Sequence, residues 1–178
     1  MEDLSLHILD IAENSVRADA RKIEICISRE VQRDILRIEV IDDGRGMDAA
    51  TLANVRDPFF TTKHKKTGLG IPLLTQAAEQ AGGAVTIESA PGRGTRVAVS
   101  FHWSHVDRPA LGSMADTVLT LIAGHPAIDV IYEETEGDRL FRFDTRELKK
   151  DLDDVPINTP PVLDAIRGML KEQMIFER

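Results

Sequence analysis

The chain has 178 residues, 42% of them apolar, 29% charged and 4% aromatic. That is enough apolar side chain to fill a core, so a wholly disordered polymer is excluded, and enough length for one ordinary domain plus a small appendage. The 30 acidic residues outnumber the 22 basic ones for a net charge of −8, which argues against gripping nucleic acid by bulk electrostatics, and no apolar run approaches the ~20 residues of a membrane span.

Residues 3 to 19 read as a helix. Leu4, Ile8, Ile11 and Ala12 share one stripe, while Asp10, Asn14 and Arg17 share another face. The acidic start MEDLSL is unlike a signal peptide. Residues 22 to 28 alternate Ile23, Ile25 and Ile27 inward as a half-buried strand, and 35 to 41 form a second strand, antiparallel to the first, that runs into Asp42-Asp43-Gly44-Arg45-Gly46. Cys26, the only cysteine, lies on the first strand. It cannot make an internal disulfide or a zinc cage, so the expected setting is a reducing, cytoplasmic one. A helix over about 72 to 81 stops at Gly82-Gly83. Strands 84 to 89 and 95 to 101 follow, split by Pro91-Gly92-Arg93-Gly94. Helices on one face of a mixed, mainly antiparallel sheet are the expected result, a two-layer α+β sandwich.

After Trp103 the text changes character. A connection without periodicity leads to an expected helix (113 to 123), strand (127 to 134), turn at Glu136-Gly137-Asp138, strand (139 to 143), short helix (145 to 152) and last helix (159 to 173). Two units are therefore expected, 1–103 and a small α/β extension over 104–178. The first nets −2 and the second −6. The extension carries no chemical motif and reads as a docking or dimerisation module.

Four short elements in the first unit bear on chemistry. They are the Asp10–Asn14 pair on a helix, Asp42 to Gly46 after a strand, Pro58-Phe59-Phe60-Thr61-Thr62-Lys63 followed by Thr67-Gly68-Leu69-Gly70, and Gly92-Arg93-Gly94-Thr95 at a strand turn. Each alone is a turn, a loop or a solvated helix face. Together they hold what a nucleotide needs. Asp42 is an acceptor for an adenine amino group, and Gly44, Gly46, Gly68 and Gly70 let backbone approach base and phosphates. The helix after Gly70 offers free N–H groups to phosphate charge. The carboxamide oxygen of Asn14 suits Mg²⁺.

On these boxes the sequence resembles the GHKL group of Bergerat-fold ATPases: gyrase-type topoisomerases, MutL-type repair proteins, chaperones and histidine kinases. Asp10 to Asn14 match the N box, Asp42 to Gly46 the G1 box, Thr67 to Gly70 the G2 box and Gly92 to Thr95 the last glycine box. The resemblance covers about residues 4 to 102, and PFFTTK with the text from Gly82 onward is most similar to histidine-kinase catalytic domains. It implies ATP and Mg²⁺ as ligands, with Asn14 on the metal, Asp42 on adenine, and Gly44 and Gly46 at the pocket floor. It further implies Met47 beside the base, Lys63 and Thr67, Gly68, Leu69 and Gly70 in an ATP lid, and Thr95 near the adenine edge. The order of the 104–178 text is similar to tails of free-standing histidine-kinase-like ATPases of anaerobic bacteria, some encoded beside iron hydrogenases.

Two departures shape the expected function. Hydrolysing members carry Glu where this chain has Asp10, one methylene shorter, so Asp10 is either the base or a residue that orders metal-bound water. No segment that would form a histidine kinase's phosphoacceptor hairpin precedes the ATPase text, so self-phosphorylation on His is not expected. The leading expectation is a Mg·ATP-binding regulator that acts on an unidentified protein partner by phosphoryl transfer or a lid switch, with a homodimer possible. The enzyme class is thus an ATPase or protein kinase. The alternatives are a non-hydrolysing ATP sensor and, less favoured given the acidic extension, a MutL- or gyrase-type clamp.

Overall fold

The computed structural model describes residues 3–55 and 70–176. The elements run α1 (Leu4–Arg17), β1 (Lys22–Glu30), β2 (Ile35–Asp42), α2 (Ala49–Asn54), α3 (Gly70–Gln80), β3 (Ala84–Ser89), β4 (Thr95–His102), α4 (Met114–Gly124), β5 (Asp129–Glu136), β6 (Arg139–Asp144), α5 (Thr145–Asp151) and α6 (Pro160–Gln173). One six-stranded sheet has the order β3-β4-β2-β1-β5-β6. All neighbours are antiparallel except β1 and β5, which are parallel. The sheet is therefore mixed and mainly antiparallel, as the alternating text of the strands predicts.

The period-2 pattern decides which face is covered. In β1, Ile23, Ile25 and Ile27 are buried while the residues between them are not. The register sets Ile25 beside Val40 on β2 and Tyr132 on β5, both also buried. Against this row lies the apolar stripe of α1, with Leu4, Ile8, Ile11 and Ala12 at 5% exposure or less. Each fully buried Ile or Leu contributes about 1.5–3 kcal/mol. Helix α1 touches α3 on one side and α4 on the other, and α4 carries α6. A layer of helices over a sheet is the two-layer sandwich expected above.

Residues 104–176 join this layer and this sheet directly. Strand β5 pairs along β1 from Lys22↔Asp129 to Arg29↔Glu136. The first N–H groups of α1, which have no partner within the helix, donate to the 104–176 segment: Leu4 N to Ala110 O at 2.9 Å and Ser5 N to Leu111 O at 2.8 Å. The chain end is tied back through Glu134 on β5. This carboxylate is fully buried and accepts from Tyr132 Oη at 2.5 Å, from the backbone N–H of Ile175, and from that of Phe176 at 3.2 Å. Such a charge is tolerated in a core because its oxygens are met by donors.

Candidate functional site

The carboxyl end of β2 meets the first residues of β1 and β4, since Asp42 pairs with Ile23 on one side and Thr95 on the other. Asp42 falls on the inward parity of β2, so its carboxylate is directed under the helix layer and is only 8% exposed. Three donors hold it. Oδ1 accepts Gly44 N at 2.9 Å and Thr95 N at 3.2 Å, and Oδ2 accepts Ser15 Oγ at 2.6 Å. An ionised carboxylate has about four acceptor positions, so the group keeps acceptor capacity beyond these three bonds.

Asp43 has the opposite task. Its outward Oδ1 accepts Arg21 N at 2.8 Å and Lys22 N at 2.9 Å and so ties the start of β1 to the end of β2. Burial works against its charge, but the N–H groups of Lys22 and Arg21 outweigh it and hold the carboxyl below its ordinary value.

The loop after β2 and the turn before β4 are stitched together. Gly92 N donates to Arg45 O at 2.8 Å, and Arg45 N to Ala18 O at 2.8 Å. Ser89 Oγ accepts Met47 N at 2.8 Å and lies 2.9 Å from Gly94 O and 3.0 Å from Thr95 Oγ1. Gly46 (φ +68°) and Gly94 (φ +73°) are left-handed, and a β-carbon on either would overlap a carbonyl, of Ala90 and Asp42 respectively. Only glycine fits both demands.

At the other wall α1 faces the start of α3. A β-carbon on Gly70 would lie 3.2 Å from Asp10 Cβ and 3.4 Å from its Oδ2, so the Asp10 carboxylate stands beside the first turn of α3. Asn14, one helical turn on, is exposed, and its Oδ1 accepts Arg17 Nη1 at 3.1 Å. That amide oxygen is a hard donor that fits Mg²⁺ once Arg17 releases it. Between them Glu13 is held by His125 Nε2 at 2.9 Å, at the end of α4. Asp10 itself has no hydrogen-bond or ion-pair partner among the described residues. His7, one turn before Asp10, is 5% exposed, and its Nδ1 has no hydrogen-bond partner among the described residues.

Of the residues singled out in the sequence, Asp42, Gly44, Gly46, Met47 and Thr95 come together at the ends of β2 and β4. Asp10 and Gly70 meet between α1 and α3, and Asn14 follows one turn along α1, exposed and paired with Arg17. Lys63, Thr67, Gly68 and Leu69 lie outside the described residues. Two site residues escaped the sequence reading, Ser15 and Ser89. Both left a signal: Ser15 interrupts the buried stripe of α1 four residues after Ile11, and Ser89 continues the inward row Val85, Ile87. A polar side chain in an apolar row needs a partner.

Comparison with known proteins identifies the family. Residues 2–105, more than half of the chain, match the model of the family described as histidine kinase-, DNA gyrase B- and HSP90-like ATPase. Sensor histidine kinase ZraS of Klebsiella oxytoca is 38% identical over 88 residues, 49% of this chain and 19% of that protein. Sensor protein kinase FleS of Pseudomonas aeruginosa is 40% identical over 88 residues, 49% of this chain and 22% of that protein. Sensory histidine kinase/phosphatase NtrB of Rhodobacter capsulatus is 40% identical over 62 residues, 35% and 18%. The match thus spans about a fifth of each of these relatives. A solved structure, the N-terminal domain of a DNA repair protein, superposes with a TM-score of 0.54 at 15% identity, over 81% of this chain and 52% of that one, and shows the likeness of fold. By its fold and by a family match over more than half of its length, the chain belongs to the histidine kinase-, DNA gyrase B- and HSP90-like ATPases and carries a histidine-kinase-like ATP-binding domain.

Proposed function

We propose that the chain binds Mg·ATP between the β2 and β4 ends and the α1–α3 junction, and regulates a protein partner by transferring the γ-phosphoryl group to it. The observation that carries this reading is Asp42, a buried carboxylate held by three donors with acceptor capacity left over for an adenine amino group. Gly46 and Gly94 let the loop after β2 and the turn before β4 pack closely around Asp42, which supports a preformed base site there. The opening turn of α3 favours phosphate charge, and Asn14 is the residue that would hold Mg²⁺, which neutralises phosphate charge when bound. Asp10, beside the first turn of α3, is the residue that would take a proton from an incoming hydroxyl or water. The region 104–178 is the proposed docking or dimerisation surface, linked to the nucleotide helix through the His125–Glu13 pair.

A second reading, an ATP sensor that releases its nucleotide intact, is favoured by the absence of any partner orienting Asp10 among the described residues. Calorimetric titration with Mg·ATP, followed by analysis of the nucleotide, tests both. Binding is expected in the wild type, and Asp42→Asn should weaken it about 10²-fold, because the new amide sets a donor against the adenine amino group. Unchanged affinity in Asp42→Asn refutes the site. Phosphate appearing on a partner supports transfer, and ATP recovered whole in the presence of every candidate partner supports the sensor.

A further inference from the structure

We infer that Ser15 is a positioning residue that makes this site selective for purines bearing a 6-amino group. The inference rests on the Mg·ATP reading above and deepens it. The Ser15 hydroxyl has one hydrogen to donate and two acceptors in reach, Asp42 Oδ2 at 2.6 Å and Ile11 O at 3.3 Å. Distance assigns the hydrogen to Asp42. Because Oδ1 already takes the two backbone N–H groups of Gly44 and Thr95, the carboxylate is pinned at both oxygens. Its plane is set, and the acceptor position left to the base lies on Oδ2, beside the Ser15 hydroxyl. Ser15 is 3% exposed, so water does not replace that donor if the hydroxyl is removed.

A pinned acceptor discriminates. An exocyclic amino group donates to it, whereas a 6-oxo group sets lone pair against lone pair, and a bare C6–H offers nothing. Without Ser15 the Oδ2 side of Asp42 is held only through Oδ1, and the carboxylate turns toward whichever donor is near. Selectivity then falls more than general affinity, since phosphate and metal contacts do not pass through Ser15.

The test is calorimetric binding of ATP, of GTP and of purine riboside triphosphate, which lacks the 6-amino group, each with Mg²⁺. The proteins are the wild type, Ser15→Ala and Ser15→Thr, the last keeping the hydroxyl. Wild-type protein is expected to prefer ATP over purine riboside triphosphate. Ser15→Ala should lose about tenfold in ATP affinity and about twofold or less for purine riboside triphosphate, and Ser15→Thr should restore the preference. Ala is a better helix former than Ser, and thermal melts of each variant establish that the fold is retained. Equal loss for both nucleotides, or no loss for either, overturns the role of Ser15 while leaving the site intact. Wild-type protein that binds no ATP instead refutes the function proposed above, and Ser15 with it.

Discussion

Two aspartates adjacent in sequence end up with different tasks because a strand turns alternate residues to opposite faces. Asp42 points in, toward Ser15, and Asp43 points out, onto the backbone of Arg21 and Lys22. The pairing of Asn14 with Arg17 bears on the proposed Mg²⁺ site. A cation already holds the amide oxygen, so Arg17→Ala should lower the Mg²⁺ concentration that half-saturates ATP binding, by a few-fold at most for an exposed contact. A titration of Mg²⁺ at fixed ATP checks it, and a rise would mean that Arg17 itself meets the phosphates. Cys26 lies on the outward face, beside Glu39 on β2 and Glu133 on β5. Burial, with Glu133, Glu24 and Glu39 adding to it, pushes its thiol from 9.0 up to about 11. The thiolate is the nucleophile, so a disulfide reagent near pH 8 should label folded protein about 10²-fold more slowly than unfolded protein. Comparable rates would show that the face opens readily.

At the scale of elements, most of the secondary structure is legible in the sequence, because period and punctuation both speak clearly. The alternating isoleucines of β1, the Gly82-Gly83 stop after α3 and the Gly137 turn between β5 and β6 all appear where the text places them. Helix α2 was not read, since six residues with no buried side chain carry no periodic signal; Asp48, whose side chain accepts Thr51 N at 2.7 Å, starts it. The start of α5 is a similar cap of greater weight. Asp144 is 6% exposed, accepts Arg146 N at 3.0 Å and Arg146 Nη2 at 2.6 Å, and lies 3.6 Å from Arg142 Nη2. The Arg146 side chain, opposed by burial and helped by the Arg146 N–H and the charges of Arg146 and Arg142, holds this carboxyl below its ordinary 3.8. A folded-state value below the unfolded one adds stability above about pH 4 that is lost as pH falls through the lowered value. Asp144→Asn should therefore cost about 1–2 kcal/mol in urea unfolding at pH 7. The gap should close as pH falls below about 4 and through the lowered value, and a gap that persists in acid would assign the effect to shape rather than charge.

For the whole molecule, the change of text after Trp103 does not coincide with a gap in the structure. Strand β5 covers the edge of β1, Ala110 and Leu111 cap α1, and His125 holds Glu13 on α1. A chain cut after residue 103 would expose the β1 edge and leave the α1 N–H groups unpaired. Its thermal unfolding, followed by circular dichroism, should lack the cooperative transition of the full chain. A transition matching the full chain would show that residues 1–103 fold without the segment that follows. Most of the elements, the inward rows and the ordered boxes that mark the family are written in local spacing and residue chemistry. The tertiary structure alone sets β5 parallel to β1, brings the Ser15 hydroxyl to Asp42, and carries the 104–176 segment to α1. Those contacts join residues 27 to 112 positions apart, and no local pattern in a single chain specifies which distant partner closes an open edge or an unfilled acceptor.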